Sequence, residues 1–285
     1  MPEGAPVPKR FRVPVLHAVD RYLDAAPRAD ARVEEVGPFT LFTGSFWPYY
    51  ARPRLGSTAA ISPADVALLE RRCRELSRPL AIEWLAELTP ALEPAARERG
   101  LELERHALLV LAPDALRPVL APPGTQVEIL GPSDPRLAQA RAVADVGFGA
   151  PGTGRGADGP SARDRRVGEL REGLIEHLRR RAEAGLTLTA VACDARDGVV
   201  AAASLQPVAD AAEIVGVATL PAHRRRGLAA ALAAALVEEA GRSGVSLVLL
   251  QAASPAVARV YERLGFDRVG THLEACGGQA PAELG

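Results

Sequence analysis

The stretch PAHRRRGLAAAL, Pro221 to Leu232, sets three arginines directly against a glycine and then runs into a helix built almost only of alanine and leucine. It follows a strand-like run that ends at Thr219, so strand, short turn, glycine and helix come in immediate succession. A helix N-terminus carries about half a positive charge and favours anions, so neighbouring arginines are locally unfavourable there without a partner. A negative ligand is the simplest remedy. The free backbone N–H groups of such a turn point at one spot as a phosphate cradle, and Gly227 with the small Ala229 lets a pyrophosphate approach the backbone closely.

Any such anion site must be local, because the net charge of −1 creates no global field for nucleic acid or an anionic membrane. The 285 residues allow one large domain or two of ordinary size, and 48% hydrophobic with 24% charged residues is a composition able to bury a core. Cys73, Cys193 and Cys276 are far apart, odd in number and include no C-x-x-C, which argues against a disulfide framework or a thiolate zinc site. A reduced cytoplasmic setting fits best. The N-terminus has no long apolar core of a signal peptide, and no stretch reaches the roughly 18 apolar residues of a membrane span. The five histidines share no ligand spacing such as H-x-x-x-H, and no metal is expected. The lone G-x-G-x-x-G match at Gly154 to Gly159 is discounted, since no strand precedes it. His223 reads as a surface residue of the arginine turn.

Pro113, Pro118, Pro122 and Pro123 interrupt regular structure before a strand-like run at Thr125, which divides the chain into domains 1–122 and 123–285. After the cut, the pattern predicts strands at Val127 to Leu130, Leu186 to Cys193, Val199 to Gln206, Glu213 to Thr219 and Val245 to Gln251, with a last one from Phe266. Helices are predicted over Pro135 to Val146, Arg166 to Ala184, the segment after Gly227, and Pro255 to Leu264. The glycine-rich stretch from Gly147 to Arg166 reads as a mobile loop. Antiparallel strands flanked by helices make this an α+β or mixed α/β fold.

The stretch VGVATLPAHRRRGLAAAL resembles the acetyl-CoA signature Q/R-x-x-G-x-G/A of the GNAT N-acetyltransferase superfamily, with Arg224, Gly227 and Ala229 at its fixed positions. Downstream, SPAVARVYERLGF is similar to the family's N-x-x-A-x-x-x-Y-x-x-x-G-F segment, with Ser254 where asparagine is usual. The resemblance covers about Thr125 to Ala275 and implies the GNAT fold, a mixed and mostly antiparallel central sheet flanked by helices. It implies that Arg224, Arg225, Arg226, Gly227, Leu228 and Ala229 wrap the CoA pyrophosphate. By the same resemblance Val217, Ala218 and Thr219 pair their backbone with the pantetheine arm, Ser254 hydrogen-bonds it, and Tyr261 sits near the thioester sulfur.

Acetyl transfer to an amine needs a base to deprotonate the attacking nitrogen, whose pKa is near 10.4, and an acid to protonate the thiolate, whose pKa is near 8.5. Tyr261 holds its proton at neutral pH and is the natural acid. Glu213 is the favoured base, because AEIVGVAT resembles the strand on which the histone-acetylating branch carries its glutamate. On a regularly alternating strand Glu213, Val215, Val217 and Thr219 share one face. The resulting expectation is transfer from acetyl-CoA to a primary amine of a small molecule or peptide by direct attack, without metal, nucleic acid or membrane, and with a homodimer left open. A CoA-binding sensor or scaffold that has lost turnover is the alternative.

The first half carries no catalytic motif, yet TPALEPAARERGL from Thr89 follows the pattern of SPAVARVYERLGF from Ser254, each with a glycine eleven residues after the hydroxyl residue. At the same offset SPADVALLERRCRELSR lies over the helix after Gly227, and LAIEWL over the strand SLVLLQ. This half therefore reads as a degenerate GNAT-like domain that lacks the R-x-x-G-x-A turn and has Ala96 where Tyr261 falls. Its aromatic cluster of Phe46, Trp47, Tyr49 and Tyr50 is expected as interdomain core.

Overall fold

The computed structural model describes residues 9–46, 49–57, 60–150 and 152–277. In chain order the first half contains α1 (Lys9–Ala25), β1 (Arg32–Val36), β2 (Phe39–Thr43), β3 (Ala51–Pro53), α2 (Pro63–Glu75), β4 (Leu80–Leu85), α3 (Leu92–Glu98) and β5 (Glu102–Leu111). The second contains β6 (Thr125–Leu130), α4 (Leu137–Gly149), α5 (Pro160–Gly168), α6 (Leu174–Glu183), β7 (Leu188–Asp194), β8 (Gly198–Val208) and β9 (Ala211–Thr219). It closes with α7 (Leu228–Arg242), β10 (Leu247–Ala252), α8 (Pro255–Glu262) and β11 (Asp267–Gly277). No helix among the described residues is long and apolar enough to cross a membrane.

The chain forms two compact units that do not coincide with a cut at residue 122. The first comprises 1–109, 251–258 and 267–284, and the second is essentially 110–250 with 259–266. The reason is a strand assignment. The strand after Phe266 stays with the first unit, where His272–Gly277 pairs antiparallel with Leu85–Leu80 of β4.

Within the first unit, β1, β2, β3 and β4 follow in order, with β2 antiparallel to β1 and β3, and β3 parallel to β4. Alternation along β11 divides its side chains between two faces. Leu273 and Ala275 join Trp84, Ile82, Leu69 and Leu92 in an apolar core with α2 and α3. Gly270, of the opposite parity, lies against Leu16 of α1. The helix α2 starts with a capping box, in which the Ser62 hydroxyl accepts from the Asp65 N–H and the Asp65 carboxylate accepts from the Ser62 N–H. The helix–strand–helix order expected from the offset comparison is present: α2, β4 and α3 follow one another as α7, β10 and α8 do.

The aromatic cluster departs from the expectation of a buried core. Phe46, Tyr49 and Tyr50 are only half-buried, and Tyr50 belongs to its own unit, edge-on to Phe42 at 6.0 Å with its hydroxyl donating to the Leu23 carbonyl. Trp47 lies outside the described residues.

The second unit is a sheet in the order β10, β9, β8, β7, β6, antiparallel throughout except for the parallel β10–β9 pair. The parallel pair in each unit joins the strands that flank one helix, β3 and β4 around α2 and β9 and β10 around α7. The stretch from Gly147 to Arg166 is less of a loop than expected: it contains most of α5, which opens with Pro160 at its first turn.

Candidate functional site

Two backbone features of β9 set up the site. First, β10 pairs with β9 only over Leu247–Leu249 opposite Ala211–Glu213, so the strands part just beyond Glu213. The edge of β9 from Ile214 onward is left without a β10 partner. Second, Gly216, at a φ of +63°, lies in a bulge where Gly216 and Val217 together oppose Ala203. The bulge overturns the expected alternation. Glu213 pairs with Gln206, Val215 with Ser204 and Ala218 with Ala202, so Glu213, Val215 and Ala218 share one face while Thr219 points to the other. That face meets α4, where Gly147 approaches the Ala218 Cβ so closely that a Cβ on it would lie 3.0 Å away.

After β9 the chain makes a short helical turn over Pro221–His223 and then the arginine run. Arg225 at +66° and Gly227 at +84° are both left-handed, an arrangement that curls successive N–H groups towards one side. Glycine supplies this conformation at no steric cost, while Arg225 is held there under strain. The N–H groups of residues 225–230 have no hydrogen-bond acceptor among the described residues, and the first backbone bond of the helix runs from the Ala231 N–H to the Gly227 carbonyl. They lie at the positive end of α7.

The arginine side chains divide differently from the expectation that all three face a ligand. The Arg224 guanidinium donates to the carbonyls of Gly147 (2.7 Å), Ala150 (3.0 Å), Gly152 (2.9 Å) and Gly154 (3.2 Å), where α4 ends. A cation is favourable at a helix C-terminus, so its charge is answered within the protein. Arg226 pairs with the Asp194 carboxylate at 3.0 Å. That bond and the Arg196 backbone N–H, the larger influence, hold the Asp194 carboxyl below the usual carboxylate range. Arg225 alone is exposed and makes no side-chain hydrogen bond or ion pair among the described residues.

Further bonds pin the glycine-rich segment to the turn: Gly156 N–H to Pro221 O at 3.1 Å, Ala222 N–H to Asp158 O at 2.9 Å, and Arg155 to Arg224 O at 3.2 Å. The expected mobile loop is therefore tied to the arginine turn. His223 is not a surface residue. It is buried, with its Nε2 2.8 Å from Asp197 Oδ2. Asp194, Asp197 and the α4 carbonyls were missed by sequence reasoning, since no local motif links them to the turn.

Of the two proposed catalytic side chains, Glu213 is buried at the last β9–β10 pair, where the gap begins. Tyr261 is 5% exposed on α8, edge-on to Phe266 at 6.0 Å, and its hydroxyl makes no hydrogen bond among the described residues. Burial raises its pKa above the ordinary tyrosine value. The Ser254 hydroxyl oxygen accepts the Val257 N–H at 3.3 Å and so caps α8. A cap needs only the lone pair, so the hydroxyl proton is still available to another acceptor.

Residues 160–266 match the acetyltransferase (GNAT) family model. The chain is similar to a GCN5-related N-acetyltransferase from Kribbella flavida at 20% identity, covering 94% of this chain and 97% of that one with a TM-score of 0.71. It is similar to a tandem GNAT protein from the clavulanic acid biosynthesis pathway at 17% identity, covering 85% and 79% with a TM-score of 0.53. For a GCN5-related N-acetyltransferase from Sphaerobacter thermophilus the identity is 18%, the coverage 75% and 65%, and the TM-score 0.51. At these identities the shared property is the fold. No curated protein matches the sequence. A strand that parts from its neighbour beyond Glu213, a helix N-terminus with unsatisfied donors and the family match over 160–266 coincide in one stretch of chain. Residues 160–266 of this chain are thus similar to the GNAT family of acetyltransferases, and the chain shares the fold of the solved GNAT proteins.

Proposed function

We propose that this protein is an N-acetyltransferase that transfers the acetyl group of acetyl-CoA to a primary amine of a small molecule or peptide. The observation that carries the reading is the row of acceptor-free N–H groups at residues 225–230, at the positive end of α7. A pyrophosphate supplies acceptors for those donors, and Arg225 is the one arginine of the run with no side-chain partner among the described residues. The open edge of β9 at Val217, Ala218 and Thr219 offers backbone groups to the amides of the pantetheine arm.

Glu213 takes the proton from the substrate ammonium, and the neutral amine attacks the thioester carbonyl carbon. The tetrahedral intermediate collapses by breaking the C–S bond, Tyr261 donates its hydroxyl proton to the departing thiolate, and the cationic amide nitrogen gives up its second proton to restore the Tyr261 phenol. A phenol whose pKa is raised by burial holds its proton at neutral pH, so the proton is present when the thiolate departs. Ser254 caps α8 and keeps a hydroxyl proton free to donate to the pantetheine arm.

Calorimetry with acetyl-CoA on the full chain and on Gly227→Glu tests this assignment. The variant places a carboxylate at the proposed phosphate position, and loss of binding with an unchanged near-UV circular dichroism spectrum is the expected result. Unchanged affinity in the folded variant overturns the assignment. Release of CoA thiol across a panel of amines then separates an enzyme from a binding protein without turnover.

A further inference from the structure

The face of β11 opposite the apolar core is polar. Glu104 and His106 stand two apart on β5, and His272 and Glu274 two apart on β11, so each pair occupies one face of its strand. His272 is completely buried, and neither ring nitrogen has a hydrogen-bond partner among the described residues. Its Nδ1 lies 3.8 Å from Glu274 Oε1 and its Nε2 3.4 Å from Glu83 Oε2. The His106 Nε2 is likewise buried without a hydrogen bond, 3.5 Å from Glu104 Oε2 and 3.5 Å from Glu274 Oε1. One potential ligand atom each from Glu104, His106 and Glu274 lies within 4.8 Å of the others.

A buried polar nitrogen without a partner carries its full desolvation cost, and two carboxylates converging on one point repel unless a cation lies between them. Nitrogen and oxygen ligands sit roughly 2.0–2.2 Å from a tetrahedral zinc ion and therefore roughly 3.3–3.5 Å from each other. The 3.5 Å separations around the His106 Nε2 match that geometry. We infer that Glu104, His106 and Glu274 form a binding site for a divalent transition-metal cation of the zinc class. The imidazole donor selects such ions over calcium and magnesium, which take oxygen ligands. His272 is a positioning residue, its Nδ1 3.8 Å from Glu274 Oε1. Glu104, 76% exposed, leaves a path for the ion from solvent. The bound ion ties β5 to β11, and the inference is independent of acetyl transfer.

The test uses the untagged full chain, stripped with a chelator and titrated with cobalt(II) and then zinc(II). One equivalent of cobalt is expected to give the visible absorption of a tetrahedral site, zinc to abolish it, and zinc but not calcium to raise the melting temperature. Glu104→Ala, at an exposed position, is expected to weaken cobalt binding at least tenfold, and His106→Gln to remove the absorption. His272→Gln is expected to weaken binding roughly 10- to 100-fold while keeping the tetrahedral spectrum. Absence of a 1:1 cobalt complex in the wild type overturns the inference, as does wild-type affinity in Glu104→Ala. Should His106→Gln fail to fold, the exposed Glu104 variant decides.

Discussion

The Arg224 guanidinium lies 2.7 Å from the Gly147 carbonyl oxygen, so the first charge of the arginine run answers the C-terminus of α4 instead of a ligand. Arg224→Ala removes the donor that the carbonyls of Gly147, Ala150, Gly152 and Gly154 share. The segment 152–159 is then expected to exchange its amide protons at least about tenfold faster, as loss of charged hydrogen bonds worth about 1.5–3 kcal/mol each allows. Hydrogen exchange read by mass spectrometry checks this, and unchanged protection of the segment would show that other contacts hold it.

Tyr261→Phe keeps the ring that packs on Phe266 and removes only a hydroxyl that makes no hydrogen bond among the described residues. Thermal stability and acetyl-CoA affinity are expected to stay near wild type while turnover falls about 10²- to 10⁴-fold. Single-turnover kinetics with an accepted amine measures the effect, and wild-type turnover with chemistry rate-limiting would assign Tyr261 to packing alone.

Glu213→Gln removes the proposed base where β9 leaves β10. Its rate defect is expected to be greatest at low pH, where few substrate amines are already neutral, and to shrink as pH rises towards the amine pKa. A mutant-to-wild-type ratio that stays flat with pH contradicts the role.

The Asp194–Arg226 pair gives a pH dependence of known sign. The Asp194 pKa is depressed in the folded protein, so its contribution to stability is present above the unfolded value of about 3.9 and is lost as pH falls through the folded value. The stability difference between wild type and Asp194→Asn is therefore expected to be constant near neutrality and to shrink below about pH 4. Denaturant unfolding at several pH values measures it, and a difference that grows on acidification would reverse the sign.

Gly265 has a φ of +105°, and a Cβ there would lie 2.7 Å from the Ala115 carbonyl oxygen. Gly265→Ala is expected to cost at least about 1–3 kcal/mol from the backbone conformation alone, with the clash adding to it. A denaturation midpoint equal to that of wild type would show that the turn relaxes freely.

Much of the second unit was legible in the sequence, because its determinants are local. Apolar runs of strand length, two of them parted by the turn DARDG, marked β7, β8 and β9, the alanine–leucine run after Gly227 marked α7, and the glycine itself marked the left-handed start of that helix. The helix–strand–helix order of the first half was visible for the same reason, since proline at helix starts and glycine at helix ends act within a few residues. Other features depend on partners distant in the chain. The bulge at Gly216 that reassigns the faces of β9 exists only in register with β8, and the destination of Arg224 depends on where α4 ends, 75 residues earlier. The pairing of β11 with β4 and the meeting of His106 with Glu274 bring together residues more than a hundred positions apart. Sequence spacing could not disclose them, because hydrogen bonding between strands and the burial of polar atoms are set by contacts that close only when the chain folds.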